Sequence, residues 1–442
     1  MIMIAKLRPL VATLALSAAL AGCGWFGAKE APPLPGDRVA VLLFDSELKV
    51  DPEVAELAIR LPRPVENPDW SLAGGRSSHV MHHLALGEAP RIVWRQSAGS
   101  GSSSSSVLTA APIIAAGKVF TMDARGQVMA FMADTGRRLW GVETTPKGED
   151  SAVVGGGIGY SNEMIYAGTG YAEVVALSAQ DGKERWRSNV PAPVRAAPTV
   201  AEGRVFVVTL DNQIIALNAE TGERIWGYAG ISEVAGLLGG ASPAVDRDMV
   251  IAPFSSGEIF ALRMENGRVL WSDNLTAVRR VDAVSSLADV RGRPVIDRDM
   301  VFALSHSGRM VGVDRRSGAR VWERDIGGVE MPWVAGDYVF VVTNGSELVA
   351  LTRNQGRIHW ITRLPRFEDE EDREGPINWA GPVLAGDRLI VAGSDSKALS
   401  VSPYTGEILG EISLPDGVMV APVVAGNTLY FLTNDAELIA LR

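Results

Sequence analysis

The stretch Gly126-Gln-Val-Met-Ala-Phe-Met-Ala-Asp-Thr-Gly-Arg-Arg-Leu-Trp140 constrains the fold most, because it recurs. An apolar strand runs into a tight turn at Asp134-Thr135-Gly136 and leaves on a second strand ending in tryptophan. The phrase returns with turn glycines at Gly182, Gly222, Gly267, Gly318 and Gly356 and end points at Trp186, Trp226, Trp271, Trp322 and Trp360. A seventh copy keeps Gly406 in the turn but has Gly410 in place of the tryptophan. Successive end points lie 38 to 51 residues apart. Self-similarity at that period marks a repeat architecture.

Short apolar runs such as Val205–Val208 and Ile214–Leu217 read as strands rather than helices. A unit holds about four of them, the content of one propeller blade. Such a sheet covers both faces only by stacking on neighbours. The turn glycine supplies the positive φ of a tight hairpin, and the recurring tryptophan is expected to wedge between adjacent sheets. The last unit, residues 421–441, lacks its fourth strand, while Arg91–Trp94 stands in step with the repeat, Trp94 preceding Trp140 by 46 residues. The prediction is an all-β, eight-bladed β-propeller of four-stranded antiparallel blades over residues 91–442. Pairing of the N- and C-terminal strands closes the ring and removes its exposed sheet edges.

The chain begins differently. Lys6 and Arg8 precede a 12-residue apolar run, Leu10–Ala21, too short to span a bilayer. It ends in Leu20-Ala21-Gly22-Cys23, which resembles a bacterial lipobox. Residues 1–22 read as a lipoprotein signal peptide, and Cys23, the sole cysteine, as the lipidated residue. One cysteine leaves no disulfide within the chain. Gly24 follows it where an inner-membrane retention signal usually has Asp, which implies an outer-membrane anchor facing the periplasm. Residues 23–90 form a lipidated N-terminus, a proline-rich linker at 31–36 and an irregular segment, with a short strand expected at Val39–Phe44 and a short helix over Asp51–Ile59.

Other features carry less chemistry. The formal charge is −10, which disfavours nucleic acid as a partner. His79, His82 and His83 cluster, but no cysteine or carboxylate stands close in sequence to complete a metal site, so a packed or solvated loop is expected. The acidic run 368–372 lacks the alternating ligands and glycine of a calcium loop and reads as a solvated tip. Gly155–Gly159 lies between strands and reads as a blade turn, not a phosphate loop.

Connections between units vary in length. From tryptophan to the next opening proline the count is 12 for Trp186 to Pro198, 17 for Trp226 to Pro243 and 23 for Trp271 to Pro294. Equivalent connections emerge on one face, and insertions there usually map to the binding face. The two long ones join consecutive blades and carry Leu237, Leu238, Val281 and Leu287 among Arg279, Arg280, Asp289 and Arg291. An apolar centre with charged surroundings reads as a protein-docking patch.

The repeat resembles that of pyrroloquinoline-quinone-type propellers. With the lipobox and eight blades, the chain from Cys23 onward resembles the BamB family, propeller lipoproteins of the outer-membrane β-barrel assembly (BAM) machinery. Gly236–Pro243 and Ser285–Pro294 strengthen the resemblance. It implies that these loops contact the third POTRA domain of BamA through a Leu-x-Leu-Arg and an Asp-x-Asp segment. Leu237 falls on the second leucine and Leu238 where the arginine stands. Asp289 falls on the first aspartate, and Arg291 replaces the second. The implied function is a non-catalytic scaffold, without cofactor or metal, working with BamA, other BAM subunits and unfolded outer-membrane clients. The alternatives are a pyrroloquinoline-quinone-dependent dehydrogenase or another ligand-binding periplasmic propeller. The dehydrogenase chemistry usually stacks the quinone on an adjacent-cysteine disulfide, which one cysteine cannot form.

Overall fold

Each repeat folds into one antiparallel meander. The computed structural model describes residues 48–104, 106–149, 153–233, 236–276 and 288–442. Among these, eight four-stranded sheets carry their strands in sequence order, except the last. Blades 1 to 7 span 113–143, 157–189, 199–229, 244–274, 295–324, 333–363 and 379–413. Blade 8 takes three strands from 423–441 and its fourth, Ile92–Ser97, from the other end of the chain. The first strands of neighbouring blades touch one another, so they line the axis. The ring is the eight-bladed propeller read from the repeat.

The tryptophan is aimed by its strand. In blade 3 the third and fourth strands, Gln213–Asn218 and Arg224–Ala229, pair with a register shift between Ala216 and Leu217. A bulge re-aims the side chain beside it, and here that is Trp226, opposite Ala216. The same shift beside the same position occurs in blades 1 to 7. Where a tryptophan is present the residue opposite is alanine or glycine, which leaves room for the indole.

Each indole then bridges to the next blade. It packs on that blade's turn glycine, as Trp140 does on Gly182 and Trp226 on Gly267, so closely that a Cβ on the glycine would collide with the ring. Its Nε1–H donates to a carbonyl beside the same turn, from Trp140 to Ala179 O at 3.3 Å and from Trp322 to Arg353 O at 2.8 Å. A buried indole N–H needs such a partner. Trp94 does the same from blade 8 to blade 1, onto Gly136 and Ala133 O at 3.0 Å. The exception is also explained. Gly410 faces blade 8, whose third and fourth strands come from opposite chain ends, so no turn joins them. There is no turn glycine for an indole to cover, and a Cβ at Gly410 would meet nothing.

Closure is antiparallel, pairing Ile92 with Leu441, Trp94 with Ala440 and Ser97 with Glu437. The closing strand extends past the expected Arg91–Trp94 to Ser97, with an irregularity between Ile92 and Trp94.

The segment preceding the ring is a strap. Its helix is one turn, Pro52–Ala55, capped by Asp51, shorter than the Asp51–Ile59 expected. The helix already lies on blade 6, where Asp51 N–H donates to Ile358 O and the Leu57 carbonyl is taken by His359 Nε2 at 2.6 Å instead of by a further helical turn. Further on it bonds to seven of the eight innermost strands or their ends. Trp70 exchanges backbone bonds with Ile114, and Tyr160 N–H donates to Ser71 O. Val245 and Ile296 N–H donate to Ser77 O and Ser78 O. Trp333 Nε1–H donates to His82 O at 2.7 Å, Leu84 N–H to Leu384 O, and Asn67 Nδ2–H to Val424 O at 2.8 Å. Trp70 stacks on Trp333 with ring centroids 6.2 Å apart. The strap thus seals the channel where the innermost strands end. The acidic run lies on a separate exposed hairpin, Phe367–Asp369 with Glu374–Pro376.

The three histidines serve this strap. His79 Nδ1–H donates to Pro294 O at 2.7 Å, and His83 Nδ1–H donates to Pro62 O at 2.8 Å while its Nε2 accepts from Asp387 N–H. Among the described residues no group of three or more His, Cys, Asp or Glu could hold a metal. Burial lowers the His79 pKa from 6.5 to about 3. An unfolded His79 takes up its proton near pH 6.5 and the folded one only near pH 3, so in this window the unfolded chain holds more protons. Stability should fall with pH there, by up to about 1.4 kcal/mol per unit from this residue. Urea unfolding of wild type and His79→Asn between pH 7 and 4 checks it. The variant, whose asparagine tolerates the positive φ at this position, should show a shallower decline, and parallel profiles would contradict the assignment.

Candidate docking face

Connections entering blades 3, 4 and 5 meet on the face where the innermost strands begin, opposite the strap. Arg195, in the connection leading to blade 3, reaches across to the next two. Its guanidinium donates to Gly239 O at 3.0 Å and to Leu237 O, and lies 3.5 Å from Asp289 Oδ2. Asp289 Oδ2 accepts the Leu237 N–H at 2.9 Å, and its backbone carbonyl accepts His306 N–H. The backbone at Leu237 is therefore gripped at both its N–H and its C=O by one ion pair.

That pair is withdrawn from water, Asp289 being 3 % exposed. Burial pushes the Asp289 carboxyl above its usual range and the Arg195 guanidinium below its own, each opposed by the other's charge. Asp289 is not the surface carboxylate expected from the sequence. Its oxygen is consumed in positioning the loop, because a buried carboxylate must be paired and hydrogen-bonded.

The clamp displays Leu238, which is 51 % exposed, while Leu237 is half-buried. Leu210 and Ile231, at 51 % and 59 %, add exposed apolar surface on the blade 3 turns of the same face. Their backbone is tied down. Leu210 N–H donates to Pro193 O, Ile231 N–H to Glu258 Oε2 at 3.1 Å, and Asn212 Nδ2–H to Ile231 O at 2.6 Å. Arg291, half-buried, lays its guanidinium beside Gly239.

The structure thus gathers Leu237, Leu238, Asp289 and Arg291 in one place. Cys23 lies outside the described residues, as do Arg279, Arg280, Val281 and Leu287. The sequence reading missed Arg195. It sits in a connection of ordinary length, and its carboxylate partner is 94 positions away, from 195 to 289.

Residues 84–155 and 124–362 match a family model described as outer membrane protein assembly factor BamB. The chain belongs to this family. BamB of Yersinia pestis is 28 % identical over 358 residues, which cover 80 % of this chain and 88 % of that protein. BamB of Bordetella pertussis is 26 % identical over 360 residues, 81 % of this chain and 88 % of that one. The crystal structure of BamB from Moraxella catarrhalis has a TM-score of 0.69 at 20 % identity, covering 80 % of this chain and 100 % of that chain. Quinohemoprotein alcohol dehydrogenase from Comamonas testosteroni shares the fold, with a TM-score of 0.63 at 15 % identity over 85 % of this chain and 80 % of that one.

Proposed function

We propose that this chain is a non-catalytic scaffold lipoprotein of the outer-membrane protein assembly machinery. It is anchored through Cys23, faces the periplasm, and docks on the POTRA region of BamA to assist folding and insertion of β-barrel proteins. The observation that carries this is the clamped face. In a chain of the BamB family, a buried Arg195–Asp289 pair holds Leu238 out on a fixed backbone beside Leu210 and Ile231. Rigid apolar groups beside a half-exposed arginine fit the core and rim of a protein interface. They also lose little conformational freedom on binding. The dehydrogenase reading fits less well. Its quinone usually stacks on an adjacent-cysteine disulfide, and this chain has one cysteine.

Site-specific photo-cross-linking in cells tests the docking reading. A photoreactive residue at 238, 210 or 231 should capture BamA. Capture from position 57, an exposed leucine on the strap, with none from these three, would place the partner elsewhere.

A further inference from the structure

The channel itself is a second site, and the inference drawn from it does not depend on docking. The strap closes one end, leaving a blind pocket. Its floor is apolar, built from Trp70, Trp333, Pro382, Pro422 and Val423. Its other end is lined by Arg195, Arg291, Arg293 and Glu330. Arg293 and Glu330 line both parts and stand at their junction.

The charges there do not balance. Among the described residues three guanidinium groups face two carboxylates, those of Glu330 and of Asp289 behind Arg195, an excess of one positive charge in a protein of net charge −10. Asp289 is committed to Arg195 and Leu237. Glu330 Oε2 accepts the Gly381 N–H at 3.2 Å. Neither Arg291 nor Arg293 has a hydrogen bond or ion pair with any described residue, and the Nε–H of Arg293 is buried without a partner. Burial lowers the Arg293 guanidinium below its usual range and raises the Glu330 carboxyl above its own, so the environment disfavours the charges it holds. A buried donor left unmade is costly. A guanidinium matches the paired oxygens of a carboxylate or phosphate.

We propose that the open end of the channel binds one small oxyanion group, a carboxylate or a phosphate, between Arg291 and Arg293. About 40 Å³ admits a group of a few heavy atoms. Gly156 and Gly240, without side chains, line the entrance. Glu330 opposes the ligand, because its carboxylate competes for the same cations. The oxyanion comes either free from solution or as the terminal carboxylate of a polypeptide.

Calorimetric titration of the full chain with sodium acetate and with inorganic phosphate, at fixed ionic strength, tests this. Saturable binding of one anion per chain is expected. Arg291→Gln and Arg293→Gln should each weaken it about tenfold or more, and Glu330→Gln should tighten it several-fold, since a like charge is removed without loss of shape. If Arg293→Gln fails to fold, the opposite responses of Arg291→Gln and Glu330→Gln still decide. No saturable binding, or affinities unmoved by these two variants, overturns the proposal. A short peptide with a free C-terminal carboxylate, compared with its amide, separates the sources. An acid that binds more tightly than acetate assigns the site to chain ends. An acid no better than its amide, with acetate or phosphate still bound, assigns it to free anions.

Discussion

Deleting residues 437–442 should convert the protein from a discrete particle into an aggregate. Leu438, Ile439, Ala440 and Leu441 are each at most 2 % exposed. The leucines and isoleucine contribute about 1.5–3 kcal/mol apiece through burial, a sum comparable to the whole stability of a typical domain. The deletion also unpairs Ile92–Ser97, whose five register partners all lie in the removed strand. Trp94 then loses the strand that holds it against Gly136 of blade 1. Two bare strand edges beside exposed apolar faces are a template for association. Size-exclusion chromatography and thermal melting of the truncated chain read the effect. A monomer with an unchanged melting temperature would mean that the ring is not closed this way.

Arg353→Ala should cost about 3 kcal/mol, the low end of the range for breaking a buried ion pair. Arg353 is 3 % exposed, in blade 6. Its Nε–H donates to Asp297 Oδ2 of blade 5 at 2.8 Å, with further bonds to Asp297 O and Asp299 Oδ1. Its carbonyl accepts the Trp322 indole. Truncation leaves Asp297 buried with only Arg298, at 3.0 Å, as a cationic neighbour among the described residues, because burial favours the neutral form of His82, 3.7 Å away. Arg298 is half exposed and still reaches the carboxylate, which is why the loss sits at the low end. Arg315 makes the equivalent bridge one junction earlier, to Asp246, but Asp246 is more open to water. Arg315→Ala should cost about 1 kcal/mol or less, because solvent screens such pairs. Urea unfolding of both variants makes the comparison. Equal losses would contradict the assignment of the difference to burial.

The ring was legible because its code is local and repeated. A turn glycine and a tryptophan lie within a few residues of each other, and six copies announce the seventh. Closure was legible because Trp94 keeps step with that spacing. What escaped the sequence is non-local or unrepeated. The Arg195–Asp289 clamp joins a long connection that stood out to one of ordinary length that did not, and no local pattern links the two. The strap bonds to the ring through single backbone groups at irregular intervals, so no periodicity betrays its path. The missing tryptophan at Gly410 reads as decay of the repeat until the ring shows that blade 8 has no turn to receive it. Asp289 has the type of an exposed docking charge, and only its pairing with Arg195 shows that it acts from beneath the loop.

The docking face is tested most directly by affinity for the purified periplasmic region of BamA, measured for Leu238→Asp and Leu57→Asp. Both leucines are more than half exposed, one beside the clamp and the other on the strap. Burying Leu238 in a partner is worth about 1.5–3 kcal/mol. Aspartate forfeits that and places a charge in the interface, a loss of several kcal/mol, or more than about a hundredfold in Kd. Circular dichroism should show both variants folded, because neither side chain is in the core. The expected result is a collapse of binding for Leu238→Asp and wild-type binding for Leu57→Asp. Wild-type binding by Leu238→Asp, or loss with Leu57→Asp instead, would contradict the account.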